Sequence, residues 1–163
     1  MIRLIAAVDD KLGIAKGGEM PWKIPEDEQY FTDQTKKYGA NVLTGGATFR
    51  EAYKSKPLAH RTNYLLTRDN TPVEGVILVH DLAKFLNEFG DKDLWVAGGG
   101  EVFKQIIDLN KEDELLITHI TGDFACDRFF PDYQDKFKLK QRSEDMEQNG
   151  FKFYYATYRR KST

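Results

Sequence analysis

Residues 20–31 read Met20-Pro21-Trp22-Lys23-Ile24-Pro25-Glu26-Asp27-Glu28-Gln29-Tyr30-Phe31, and the way this stretch enters a helix decides how the rest of the chain is read. Pro25 has a fixed φ and no N–H, which suits the first turn of a helix, where that donor has no intrahelical partner. The spacing predicts a helix from about Glu26 to about Lys37. On it Asp27, Phe31 and Thr35 recur four apart on one face, so a carboxylate lies behind an aromatic wall. A carboxylate among apolar groups loses solvation unless something hydrogen-bonds to it, and a flat heterocycle with adjacent N–H donors would satisfy it twice over. Read alone, Glu26, Asp27 and Glu28 fit equally a solvated first turn favoured by the helix dipole.

The chain around this stretch has 163 residues, which predicts one domain with one core over residues 1–163. Hydrophobic residues make up 40% and charged residues 31%, a globular composition with no disordered tract and no run approaching a membrane span. A net charge of −2 leaves no electrostatic footprint for nucleic acid. Cys126 is the only cysteine, and His60, His80 and His119 are far apart, so neither a disulfide framework nor a metal-ligand spacing is present. A reducing, cytoplasmic setting is the expectation.

Outward from the central stretch, Ile2 to Val8 is a nearly continuous apolar run, predicted to be a central strand buried on both faces. Asp9 to Glu19, with Gly13, Gly17 and Gly18, reads as a long loop that is either a lid or a connector. Gly39 is expected to stop the first helix. Ala40 to Thr44 reads as a strand running into Gly45-Gly46, with a short helix Ala47 to Tyr53 behind it. The pattern repeats more strongly at Leu94 to Ala97, Gly98, Gly99, Gly100 and the helix opening at Glu101. Such corners aim backbone N–H groups at an anion, or merely turn the chain. Neither corner is a dinucleotide fingerprint or a P-loop. Further strands are predicted at Asn63 to Thr67, Val76 to His80 and Glu114 to Thr121, and a helix capped by Asp81 is ended by Gly90. Asp127 to Tyr133 reads as a loop. Two final strands, Phe137 to Gln141 and Phe151 to Arg159, are expected to form a hairpin through Asn149-Gly150. Strands alternate with helices early and not late, so the fold class is α/β with a mixed sheet and an antiparallel edge.

Taken in order, Ile5-Ala6-Ala7, Pro21 to Phe31, Gly45 to Phe49, Pro57 to Arg61, Leu66-Thr67-Arg68, Gly98 to Phe103, Leu116 to Ile120 and Phe129-Phe130-Pro131 resemble dihydrofolate reductase over essentially the whole chain. The resemblance implies a central mixed eight-stranded sheet, mostly parallel, with about four helices. It implies a monomer that reduces 7,8-dihydrofolate to tetrahydrofolate with NADPH and is open to antifolate inhibitors. By the match, Asp27 holds the pteridine and promotes protonation of N5 through a water that Trp22 orders, and Thr118 supports Asp27. Phe31, Leu58 and Ala52 or Tyr53 wall the aminobenzoyl ring, and Arg61 takes the substrate carboxylate. Ile5, Ala6, Ala7, Glu28, Thr35, Ala97 and Phe103 complete the implied substrate set. The implied cofactor set is Ala7, Ile14, Met20, Gly45, Gly46, Ala47, Thr48, Leu66, Thr67, Arg68, His80, Ala97, Gly98, Gly99, Gly100, Glu101, Val102 and Phe103. Four positions depart from the family pattern. Gly46 stands where an arginine is common, which turns attention to Arg68 for the 2′-phosphate. Glu28 replaces a usually apolar residue, Phe103 stands where tyrosine is frequent, and the Ala52–Lys56 loop is longer by about two residues than in common bacterial forms. A pyrimidine reductase of the same fold would share the glycine corners but is not expected to carry the Trp22 and Asp27 pair.

Overall fold

The computed structural model describes residues 1–162. In chain order the elements are β1 (Ile2–Val8), β2 (Gly13–Ala15), α1 (Pro25–Thr35), β3 (Asn41–Gly45), α2 (Gly46–Glu51), β4 (Thr62–Leu66), β5 (Val76–Val79) and α3 (Leu82–Phe89). There follow β6 (Leu94–Gly98), α4 (Gly100–Asp108), β7 (Glu114–Ile120), β8 (Arg128–Phe129), β9 (Phe137–Arg142), β10 (Met146–Gln148) and β11 (Phe151–Arg160). The main sheet runs β10-β11-β7-β1-β6-β3-β4-β5, and β9 shares the β11 edge with β10. From β7 to β5 every pairing is parallel, while β9, β10 and β7 all meet β11 antiparallel.

β1 lies in the middle because its apolar run serves both faces. Leu4 and Val8 are fully buried with Leu94, Val96, Leu115 and Ile117 in one cluster that α3 and α4 cover. Ile5 points the other way, to Val42, Trp95 and Leu116, with Tyr30 and Phe31 of α1 packed over them. Period-two alternation thus feeds two cores from each strand. On the α1 face the side chains become small at the C-terminal ends of the strands, at Ala7 and Ala97, and there the sheet opens. Open parallel sheets take ligands at this end.

Several boundaries differ from the sequence expectations. Helix α1 ends at Thr35 rather than near Lys37. The Lys37 carbonyl instead accepts the Trp95 indole N–H at 3.1 Å, and Tyr38 stacks on Trp95 under the Arg3 guanidinium. Gly39 therefore sits in the turn after the helix, at φ 95°. Helix α2 begins at Gly46 and stops at Glu51, short of Tyr53. The Asn149-Gly150 hairpin joins β10 to β11, not β9 to β11. Strand β9 pairs with the far half of β11, from Ala156 to Arg160. Both segments read as loops contain strand, since β2 and β8 pair antiparallel. The base of the 9–19 segment is fastened by Asp9, 2% exposed, whose carboxylate accepts from the backbone of Lys11, Gly13 and Phe124. Burial acts to raise the pKa of Asp9, but those N–H bonds outweigh it and hold the group below the usual carboxylate range.

Candidate functional site

Two connected clefts open at the C-terminal ends of β1, β3 and β6. The first, about 330 Å³, lies between α1 and the sheet. Helix α1 has Pro25 in its first turn and three acidic residues after it, and it buries only Thr35 outright, so most of its inner face is given to the cleft. Asp27 is partly buried on that face. Its Oδ1 accepts the Thr118 hydroxyl from β7 at 2.7 Å. Loss of solvent pushes the Asp27 pKa up from 3.8 to about 6; the Thr118 bond opposes this and the neighbouring Glu28 charge adds to it. Glu28 also lines the cleft and meets Lys23 at 2.7 Å.

Apolar side chains form the rest of this cleft: Ile5, Ala7 and Ala97 on the sheet, Phe31 on α1, and Tyr53 and Leu58 beyond α2, with the Phe31 and Tyr53 ring centres 6.5 Å apart. Ala6, Ile14, Met20, Ala52, Gly98 and Phe103 also line it. Arg61 stands at one side. Its Nη1 donates to Thr35 Oγ1 at 2.8 Å and its Nε to the Ala59 carbonyl at 3.0 Å, so the guanidinium is aimed by its neighbours. Thr35 is fully buried behind Arg61 and does not reach the cleft. Trp22, 4% exposed, also stays out of the lining. It packs edge-on to Phe124 among Ile24, Ile120 and Phe153, and its indole N–H has no acceptor among the described residues.

The second cleft, about 890 Å³, follows the glycine corners. Gly45, Gly46, Ala47, Thr48, Leu66, Thr67, Arg68, His80, Gly99, Gly100, Glu101 and Val102 line it. β3 and β6 are adjacent, so their corners sit side by side. A Cβ on Gly45 would lie 2.7 Å from Val102 Cγ2, and one on Gly99 2.7 Å from Thr48 Oγ1. At both positions bare backbone lines the cleft, and helix α4 starts from the second. A His80 ring nitrogen bonds the Thr67 carbonyl at 2.7 Å, which fixes the wall opposite.

The sequence reading missed Tyr30, Glu51 and Arg128 in these linings, and Lys104 and Gln105. Lys104 and Gln105 were within reach, being one turn beyond Glu101 on α4. Arg128 had no local signal, because it arrives through the pairing of β8 with β2.

The family model described as dihydrofolate reductase matches residues 1–160. Dihydrofolate reductase of Drosophila melanogaster is 32% identical over 170 residues, covering 93% of this chain and 93% of that protein. The Haemophilus influenzae protein of the same name is 37% identical over 129 residues, covering 78% and 77%. A solved structure of dihydrofolate reductase from Enterococcus faecalis, complexed with NADP(H) and RAB-propyl, superposes with a TM-score of 0.86 at 29% identity, over 99% of this chain and 97% of that one.

Proposed function

Because the chain belongs to the dihydrofolate reductase family, we propose a division of labour among its residues for the family's reaction, the NADPH-dependent reduction of 7,8-dihydrofolate to 5,6,7,8-tetrahydrofolate. The observation that carries it is Asp27: an acid held by Thr118 at 2.7 Å, facing an apolar cleft, with its pKa lifted to about 6. A carboxyl in that range exists in both forms near neutrality, as a proton donor must.

Asp27 accepts the N–H donors of the pterin and passes a proton towards N5 through water. Thr118 keeps the carboxyl turned to the cleft. Trp22, whose buried N–H has no acceptor among the described residues, holds that water. Phe31, Tyr53, Leu58 and Ala52 clasp the aminobenzoyl ring, and Arg61, already oriented by Thr35 and Ala59, takes the terminal carboxylate as a planar fork. NADPH, when bound, supplies the hydride to C6. The chain fits it: the corners leave no room for a Cβ at Gly45 or Gly99, and the long cleft beside them opens into the substrate cleft. Thr67 and Arg68 take the adenosine end, and Ala7, Ile14 and Ala97 the nicotinamide end.

The reading places both clefts in a single domain over residues 1–163, acting as a monomer in the cytoplasm. The lone Cys126 being a free thiol agrees with a reducing compartment. No helix among the described residues is long and apolar enough to cross a membrane. Loss of NADPH absorbance on adding dihydrofolate to the purified chain tests the function. Steady turnover is expected, and a chain that binds both ligands without turnover would be a silent module instead.

A further inference from the structure

We propose that Arg128 supplies a cation for the cofactor's diphosphate and that Glu51 holds it in place until the cofactor arrives. The assignment rests on the NADPH reading above. Four residues line both clefts: Thr48, Gly99, Gly100 and Arg128. They form the neck between them, and Arg128 is the one charged side chain of the four. A dinucleotide with its nicotinamide at Ala97 and its adenosine at Thr67 and Arg68 has to thread this neck, and the portion between those two ends is the diphosphate.

The neck is narrow. A Cβ on Gly99 would meet Thr48 Oγ1 at 2.7 Å, and one on Gly100 would run into the Phe129 carbonyl oxygen. Strand β8 therefore closes one side, and the residue before Phe129 on that strand is Arg128. The other basic side chains lining the long cleft are placed elsewhere. Lys104, on α4, and Arg68, after β4, line the long cleft alone and not the neck.

Arg128 Nη2 meets Glu51 Oε1 at 3.2 Å, and the two side chains are 45% and 40% exposed. A single exposed contact of this kind is weak. A guanidinium has five donors in a planar fork that matches phosphate oxygens better than one carboxylate oxygen. Exchange of Glu51 for diphosphate thus improves the bonding of Arg128. Glu51 also touches the 9–19 segment, since a Cβ on Gly18 would lie 3.0 Å from Glu51 Oε2. The diphosphate is common to NADPH and NADH, so Arg128 serves both, in contrast to Arg68.

Dissociation constants for NADPH and NADH, read by quenching of tryptophan fluorescence in the full chain, test the assignment. Arg128→Gln is expected to weaken both cofactors about tenfold, and Arg128→Lys, which keeps the charge without the fork, to recover only part of that loss. Glu51→Gln is expected to tighten both by about threefold, and to have no effect once Arg128 is already glutamine. Arg128→Gln binding as tightly as the parent, or Glu51→Gln binding more weakly, overturns the assignment. Failure of the parent chain to bind NADPH at all would overturn the cofactor reading itself, and the Arg128 assignment with it.

Discussion

Replacing Asp27 with asparagine removes the ionisable group and keeps an oxygen where the Thr118 hydroxyl donates at 2.7 Å. The folded state holds the acid at about 6 against an ordinary 3.8. At about 1.4 kcal/mol per pKa unit, ionising it inside the fold costs about 3 kcal/mol more than in the unfolded chain. The sign follows from which state binds the proton more tightly. Below about pH 3 both states carry it and there is almost no penalty. As pH rises from 3.8 through about 6 the unfolded chain releases its proton first, so stability is lost across that window and stays lost above it. Asp27→Asn never ionises and escapes this loss. Urea unfolding of the ligand-free protein should show the variant more stable by up to about 3 kcal/mol at about pH 8, with the gain vanishing below about pH 3. A variant no more stable than its parent at the higher pH would refute the claim that desolvation sets the state of Asp27.

Three further outcomes follow from the same contacts. Thr118→Val removes the bond that holds the Asp27 pKa down, so the pH midpoint of turnover should move upward, as a pH–rate profile will show. Arg61→Lys keeps the charge but loses the planar fork; the KM for dihydrofolate should rise by about ten- to a hundredfold with kcat little changed. Arg68→Ala should raise the KM for NADPH by at least about tenfold and leave NADH nearly untouched, and an equal loss for both would reject a 2′-phosphate role.

Much of the architecture was legible because its signals are local. The apolar run at Ile2 to Val8, the paired glycine corners and Pro25 before an acidic turn each state their structure within a few residues. What was hidden depends on partners distant in the chain. Strand β2 exists because β8 pairs with it more than a hundred residues later, and β10 is too short to show a period of its own. The turn that follows helix α1 is packed against Trp95, which donates to the Lys37 carbonyl from 58 residues away. The site shows the same division. Asp27 and Phe31 announce themselves by their spacing of four, whereas the burial of Thr35 behind Arg61, the absence of Trp22 from the cleft lining and the arrival of Arg128 at the neck are set by tertiary contacts.

Single-turnover reduction of dihydrofolate by NADPH, followed from acid to alkaline pH for the parent chain and for Asp27→Asn, bears most directly on the role of Asp27 as the proton's source. The parent rate should fall as pH rises past the carboxyl's midpoint. The variant should be slower by orders of magnitude near neutrality and recover partly in acid, where solvent protonates the substrate. A variant that keeps the parent rate near neutrality would contradict the account.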